Sequence, residues 1–228
     1  MKEVYIHVGY PKCASSFLQR NVFPYLKNVN FIYNRVENKY GILYPHFVSL
    51  CELYEGKNLI SCEQLTGNSF VHNKYCNGFE IAERLKRLYH NAGIIIIRRN
   101  KDLWLRSLYK QFCSDARRAK CVSGYQDWYD NHLDHNLLRF DEYEKKVREL
   151  FDEVLVIRFE EFCRDNDKGI EKICDFIGVD FPYDYDRSRR NVALNNNQLK
   201  FIRLSGKIGV YKFTNKYMLG FFRRMNRK

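Results

Sequence analysis

The hydrophobic pattern of the chain switches repeatedly between two periods. Ile94–Ile97 is an unbroken β-branched block, the composition of a parallel strand covered on both faces. Shorter apolar stretches at Glu3–Val8, Asn58–Ser61 and Glu153–Arg158 read as further strands, and the Ile block extends to Gly93–Ile97. Between them the apolar positions recur at helical spacing. Phe17, Leu18, Val22 and Leu26 share one side of a helix from Ser15 to about Leu26, and Phe79, Ala82, Leu85 and Leu88 do so over Gly78–Asn91. Helices are also predicted over Asp102–Ala119, Tyr125–His135, Asn136–Phe151 and Lys168–Ile177, the last closed by Gly178 as a C-cap. Residues 28–58 show neither period and are rich in Tyr and Asn. Strands alternating with helices predict an α/β fold with a central, mostly parallel sheet, right-handed crossovers and helices on both faces. In such sheets ligands bind beyond the carboxyl ends of the strands. Chemistry is therefore expected just after Val8, Ser61 and Ile97, and a polar cluster follows each.

Composition adds limits. With 228 residues, 45% apolar and 29% charged, the chain reads as one domain, 1–228, with a real core. No apolar run is long enough to span a bilayer, and Lys12 interrupts the first one before it could serve as a secretory signal. The expected location is the cytoplasm. The eight cysteines include no Cys-x-x-Cys pair, which argues against zinc and for reduced thiols. The net charge of +12 is lopsided: Arg187–Lys228 holds 12 Lys/Arg and no Asp/Glu. Taking those 12 from the chain's 39 Lys/Arg leaves 27, against 27 Asp/Glu, in residues 1–186. A neutral body with a basic tail suits a polyanionic partner or simply a solvated helix face. Residues 200–228 also carry Phe201, Leu204, Ile208, Tyr211, Leu219 and Phe222 near helical spacing. That pattern fits peripheral contact with an anionic membrane or docking on the body. No nucleic-acid-binding motif accompanies it, and nucleic acid is not expected as a partner.

The first candidate for chemistry is Gly9-Tyr-Pro-Lys-Cys-Ala-Ser-Ser16, where a strand enters a tight turn and then a helix. Backbone N–H groups and a lysine at such a point make an anion cradle. It is not a Walker A loop, because Lys12 precedes the hydroxyls by three residues and no glycine adjoins it. The order Pro-Lys-x-x-Ser/Thr-Ser/Thr-x-Leu resembles the 5′-phosphosulfate loop of sulfotransferases that use 3′-phosphoadenylyl sulfate (PAPS). Ala14 stands where that family commonly has Gly, and Ser15-Ser16 where it has Thr-Thr. Ile94-Ile-Ile-Ile-Arg-Arg-Asn-Lys-Asp-Leu-Trp-Leu-Arg-Ser-Leu-Tyr109 resembles the same family's 3′-phosphate site, with Arg99 at a strand end and Ser107 eight residues on. Lys101 replaces the family's usual Pro. Arg98 is the rival to Arg99, since adjacent strand residues face opposite ways.

The resemblance implies a P-loop-NTPase-like three-layer fold and sulfuryl transfer from PAPS, without a metal, to a hydroxyl or amine. Lys12, Cys13, Ala14, Ser15 and Ser16 would hold the 5′-phosphosulfate, and Arg99 and Ser107 the 3′-phosphate. Arg190 and Asn191, in Arg187-Ser-Arg-Arg-Asn-Val-Ala-Leu, match the family's late basic loop over the nucleotide. Glu63 closes Ser61-Cys62-Glu63 at the end of a strand, where similar bacterial enzymes often carry Ser-x-Glu, and is the candidate general base. His46 and His72 are its competitors, while His7, inside the first strand, reads as structural. Aromatic and amide side chains in 28–58 and 120–150 suit a carbohydrate or glycolipid acceptor. The competing function is a nucleoside or small-metabolite kinase with a degenerate P-loop.

Overall fold

The computed structural model describes residues 1–33, 52–67, 77–188 and 195–207. Its contacts divide the chain into two compact units, residues 1–100 with 134–187, and residues 101–133 with 188–228.

The first unit is built on five parallel strands: β1 (Lys2–Gly9), β2 (Val29–Tyr33), β3 (Gly56–Cys62), β4 (Gly93–Arg98) and β5 (Val154–Arg158), in the order β2-β3-β1-β4-β5. The central strands carry the core, and Ile6, Leu59, Ile60 and Ile94–Ile97 are essentially inaccessible to water. Each such side chain contributes roughly 1.5–3 kcal/mol by leaving water. Strand alternation sorts the layers. Tyr5, His7 and Gly9 of β1 pair with Leu59 and Ser61 of β3 and with Gly93, Ile95 and Ile97 of β4, so these residues share one face. The helical run Ser15–Tyr25 covers that face, with Phe23 edge-on to both His7 and Phe31. The helix Asn166–Ile177 covers it too: Phe176 meets Tyr5 edge-on, and a side chain at Gly93 would press on the Phe176 ring. Helices Gly78–Leu88 and Phe140–Leu150 pack together on the opposite face, where Tyr143 meets both Tyr10 and Phe79.

The second unit, taken by itself, is helical: Lys101–Cys113, Ala116–Ala119, Tyr125–His132 and Asn196–Lys207. The last packs on the first two. Trp104, Leu108, Phe112, Trp128 and Ile202 are buried. No helix of the described residues is long and apolar enough to cross a membrane.

Several elements depart from the sequence pattern for identifiable reasons. Val29–Tyr33, expected to be irregular, is an edge strand; all five residues are only half-buried, so no apolar period announces it. The helix predicted over Asp102–Ala119 breaks at Ser114-Asp115. There Ser114 Oγ turns back to the Gln111 carbonyl at 2.7 Å, and the Asp115 carbonyl starts a new turn by accepting from Arg118 and Ala119. The helix predicted from Asn136 is likewise two pieces, a 3₁₀ turn His135–Leu138 capped by Asp134 and the helix Phe140–Leu150. The first helical run is α-helical only over Ser15–Phe17, widens to π geometry over Leu18–Val22 and tightens to 3₁₀ over Phe23–Tyr25, where Pro24 ends it. Gly178 closes its helix in the left-handed conformation (φ 71°), as the C-cap reading expects.

Candidate active site

The carboxyl ends of β1, β3 and β4 place three sequence-predicted segments of the first unit together. β1 ends at Gly9, paired with Ile97 of β4, and Val8 pairs with Cys62 of β3. The loop between Gly9 and Ser15 is held from below by two contacts. Tyr10 is buried edge-on against Phe140 at 4.5 Å, and Thr66 Oγ1 donates to the Gly9 carbonyl at 3.2 Å.

Within this loop Lys12 (φ 66°) and Ala14 (φ 61°) both adopt the left-handed conformation, and Cys13 between them does not. Left-handed residues alternating with ordinary ones turn successive N–H groups toward one side and make an anion-binding concavity. The Ala14 carbonyl accepts from the N–H groups of Phe17 and Leu18 and so begins the helical run. A non-glycine residue there costs about 1–2 kcal/mol. Strain of this kind persists where the surroundings over-determine the backbone, and it clusters at ligand clamps. Ala14→Gly should therefore raise stability by about 1 kcal/mol. For a chain of this size that is a rise of roughly 2–4 °C in melting temperature. A drop on differential scanning fluorimetry would mean that the loop does not need the left-handed turn.

Ser15 and Ser16 open the helical run, and Cys13 and Ser15 are buried. Ser15 Oγ has no hydrogen-bond partner among the described residues. A side chain at Gly9 would collide with that hydroxyl, which fixes the need for glycine at this position.

Arg98 and Arg99 have different surroundings. Arg98 faces the helix Phe140–Leu150, held by Asp141 at 2.6 Å and Glu144 at 3.2 Å. Arg99 turns the other way. Its Nη1 donates to the Lys12 carbonyl at 3.3 Å, and its guanidinium lies 4.4 Å over the Phe159 ring. Its Nε is buried with no hydrogen-bond partner among the described residues, and the Glu160 carboxylate stands 4.0 Å away. Arg99 thus couples the strand end to the loop and keeps a buried donor in hand, whereas the charge of Arg98 is already neutralised.

Glu63 opens a 3₁₀ turn, Glu63–Thr66, directly after β3. Its side chain lies outside what the structure describes, as do residues His46, His72, Arg190 and Asn191. Ser107 sits, partly exposed, on the helix Lys101–Cys113 of the second unit.

Polar residues that the sequence reading gave no part in the chemistry also converge beneath the loop. His7 and Ser61 are wholly buried and Gln19 nearly so, and the three are joined by hydrogen bonds. Their signal was the period of two: His7 and Gly9 share a face of β1, and the parallel register sets Ser61 opposite His7.

A family model described as the sulfotransferase family matches residues 29–183, more than half of the chain. Among solved structures, a sulfotransferase from Alicyclobacillus acidocaldarius is similar at a TM-score of 0.60 and 17% identity, over 96% of each chain. A mouse sulfotransferase complexed with PAP gives a TM-score of 0.45 at 16% identity, covering 90% of this chain and 64% of the other. The sulfotransferase domain from the curacin biosynthetic pathway gives 0.47 at 12% identity, covering 84% and 81%. At such identities the likeness is one of fold. No curated protein matches.

Proposed function

We infer the reaction from one premise: this chain belongs to the sulfotransferase family. It moves a sulfuryl group from PAPS to an acceptor. One observation carries the assignment of the site, the loop in which left-handed Lys12 and Ala14 form a concavity for an anion with Arg99 fastened to its rim. In this reading the loop N–H groups and the Ser15 and Ser16 hydroxyls hold the 5′-phosphate. Lys12 stabilises charge that builds on the leaving phosphate oxygen. Arg99 takes the 3′-phosphate. A guanidinium with a free buried N–H suits a phosphate better than one already paired with two carboxylates. Arg190 and Asn191 are proposed as further nucleotide-binding residues, and Glu63 to take the proton of the acceptor hydroxyl.

Thermal-shift titration with adenosine 3′,5′-bisphosphate (PAP), ATP–Mg²⁺ and an oligonucleotide tests this reading. Stabilisation by PAP alone is expected; stabilisation by ATP–Mg²⁺ alone would replace the sulfotransferase site with a kinase site. Arg99→Ala should weaken PAP binding roughly 10- to 100-fold, the loss of a charge-assisted bond worth about 1.5–3 kcal/mol. Arg98→Ala should leave PAP binding within about twofold and instead lower stability, because Asp141 and Glu144 lose their counter-charge. The reverse pattern would exchange the two arginines.

A carbohydrate or glycolipid is the proposed acceptor class. Tyr125, exposed, and Tyr129, half-buried, have stacked rings within 120–150, the kind of surface on which a sugar ring rests. The basic segment 200–228 would bring a cytoplasmic enzyme to an anionic inner-membrane surface. A screen with labelled PAPS over free sugars, phenols and glycolipid in anionic vesicles separates these. Label entering phenols alone would overturn the acceptor.

A further inference from the structure

Beneath the loop, a chain of buried polar groups runs through the sheet face without reaching water. Gln19 Nε2 donates to Ser61 Oγ at 3.0 Å, and Ser61 Oγ lies 2.7 Å from His7 Nδ1. His7 and Ser61 are 0% exposed and Gln19 is 4%. Gln19 Nε2 can only donate, so the Ser61 oxygen accepts from it. With no other acceptor for the Ser61 proton among the described residues, donation to His7 Nδ1 is the direction that uses it. His7 then carries its own proton on Nε2. Burial holds the imidazole neutral, its pKa pushed down to about 4.

The far end of the chain is open. Neither His7 Nε2 nor Ser15 Oγ has a hydrogen-bond partner among the described residues, although both are buried. Both flank the missing side chain of Gly9. The position a Cβ would take there collides with Ser15 Oγ and lies 3.4 Å from His7 Cε1, the carbon between the two ring nitrogens. A buried donor and a buried hydroxyl left unpaired across a bare glycine are costly to the free protein. Such groups are retained when something else completes them.

We propose that His7 is a positioning residue for the phosphosulfate site: His7 Nε2 and Ser15 Oγ, not bonded to each other in the free chain, pair when the ligand binds, Nε2–H donating to Ser15 Oγ and aiming the Ser15 proton at the bound 5′-phosphate. The complete relay runs Gln19 to Ser61 to His7 to Ser15 to phosphate, every member donating to the next. Each bond polarises the one after it. The chain moves no net proton and changes no covalent bond. The proposal rests on the reading of Ser15 as a phosphate ligand.

Two substitutions separate the two edges of the imidazole. His7→Asn places an amide oxygen near the Nδ1 position, keeps the bond to Ser61 and removes the Nε2 donor. His7→Gln places an amide N–H near Nε2 and gives up Ser61. Calorimetric Kd for PAP, KM for PAPS, kcat and melting temperature are read for each. His7→Asn is expected to keep its melting temperature within a few degrees yet bind PAP roughly fivefold more weakly, the worth of one hydrogen bond. KM for PAPS should rise with that loss. His7→Gln is expected to melt lower and bind PAP within about twofold of the original chain. A purely structural histidine predicts PAP affinity that follows melting temperature in both variants, and that result would overturn the proposal. Should His7→Gln fail to fold, a double-mutant cycle decides. In a Ser15→Ala background His7→Asn should cost no further PAP affinity, whereas additive losses would refute the relay. If the unsubstituted protein binds no PAP, the phosphosulfate site falls and this proposal with it. If it binds PAP and the cycle is additive, only the role of His7 falls.

Discussion

Lys12→Ala is expected to lower kcat by about 10²–10³-fold, the cost of removing one preorganised group from the site where charge develops in the transition state. Its affinity for PAP should fall much less. The distinction follows from chemistry. In PAPS the bridging oxygen between phosphate and sulfuryl gains negative charge as the S–O bond breaks, and a cation at that oxygen is worth most in the transition state. PAP, the product, has already lost the sulfuryl group, and in the proposed site the loop N–H groups together with Arg99 would still hold its phosphates. Lys12 is partly exposed and its carbonyl receives the Arg99 guanidinium at 3.3 Å. Truncating its side chain leaves that backbone contact in place, so stability should change little. Single-turnover transfer from labelled PAPS, alongside calorimetric PAP binding, reads both quantities. A kcat within fivefold of the unsubstituted protein would move the electrostatic role to another residue. Lys12→Arg should rescue poorly, since a planar fork does not substitute for a compact ammonium at one oxygen.

Much of the sheet was legible because burial leaves a direct mark on composition. Ile94–Ile97 must be covered on both faces, and the structure places it in a strand flanked by β1 and β5. The expectation of chemistry beyond Val8, Ser61 and Ile97 also rested on topology alone, and the Gly9 loop, the Glu63 turn and Arg99 lie at those three ends. Alternation made Arg98 and Arg99 rivals, but which of them was already neutralised depended on Asp141 and Glu144, more than 40 positions away. No local pattern encodes such a partner. The strand Val29–Tyr33 was illegible for the opposite reason: half-burial at the sheet edge erases both apolar periods. The left-handed backbone at Ala14 was hidden by its side chain, because alanine rarely takes a conformation that glycine enters freely. His7 was legible as a buried strand residue, while its link to Ser61 and Gln19 required the register of β1 on β3.

Glu63→Gln should lower turnover by about 10²–10⁴-fold, the range for loss of a positioned general base. The case begins at the sheet. Cys62 pairs with Val8, so the chain leaves β3 at Glu63 on the same level at which β1 reaches Gly9 and turns into the Lys12 loop. In the proposed reaction a base carried at this point would meet the acceptor hydroxyl as it approaches the sulfur in line with the leaving phosphate. The backbone at this point is well anchored, since Thr66 at the end of the same turn donates to the Gly9 carbonyl. Glutamine preserves size and hydrogen bonding but cannot take a proton, so PAP binding should be unchanged while kcat falls. The acid limb of the kcat/KM profile, which reports the free enzyme's base, should disappear with it. His46→Ala and His72→Ala are the controls, each expected to retain turnover within a few fold. Near-normal transfer by Glu63→Gln, together with collapse in either histidine variant, would hand the base role to that histidine and leave Glu63 as a turn residue.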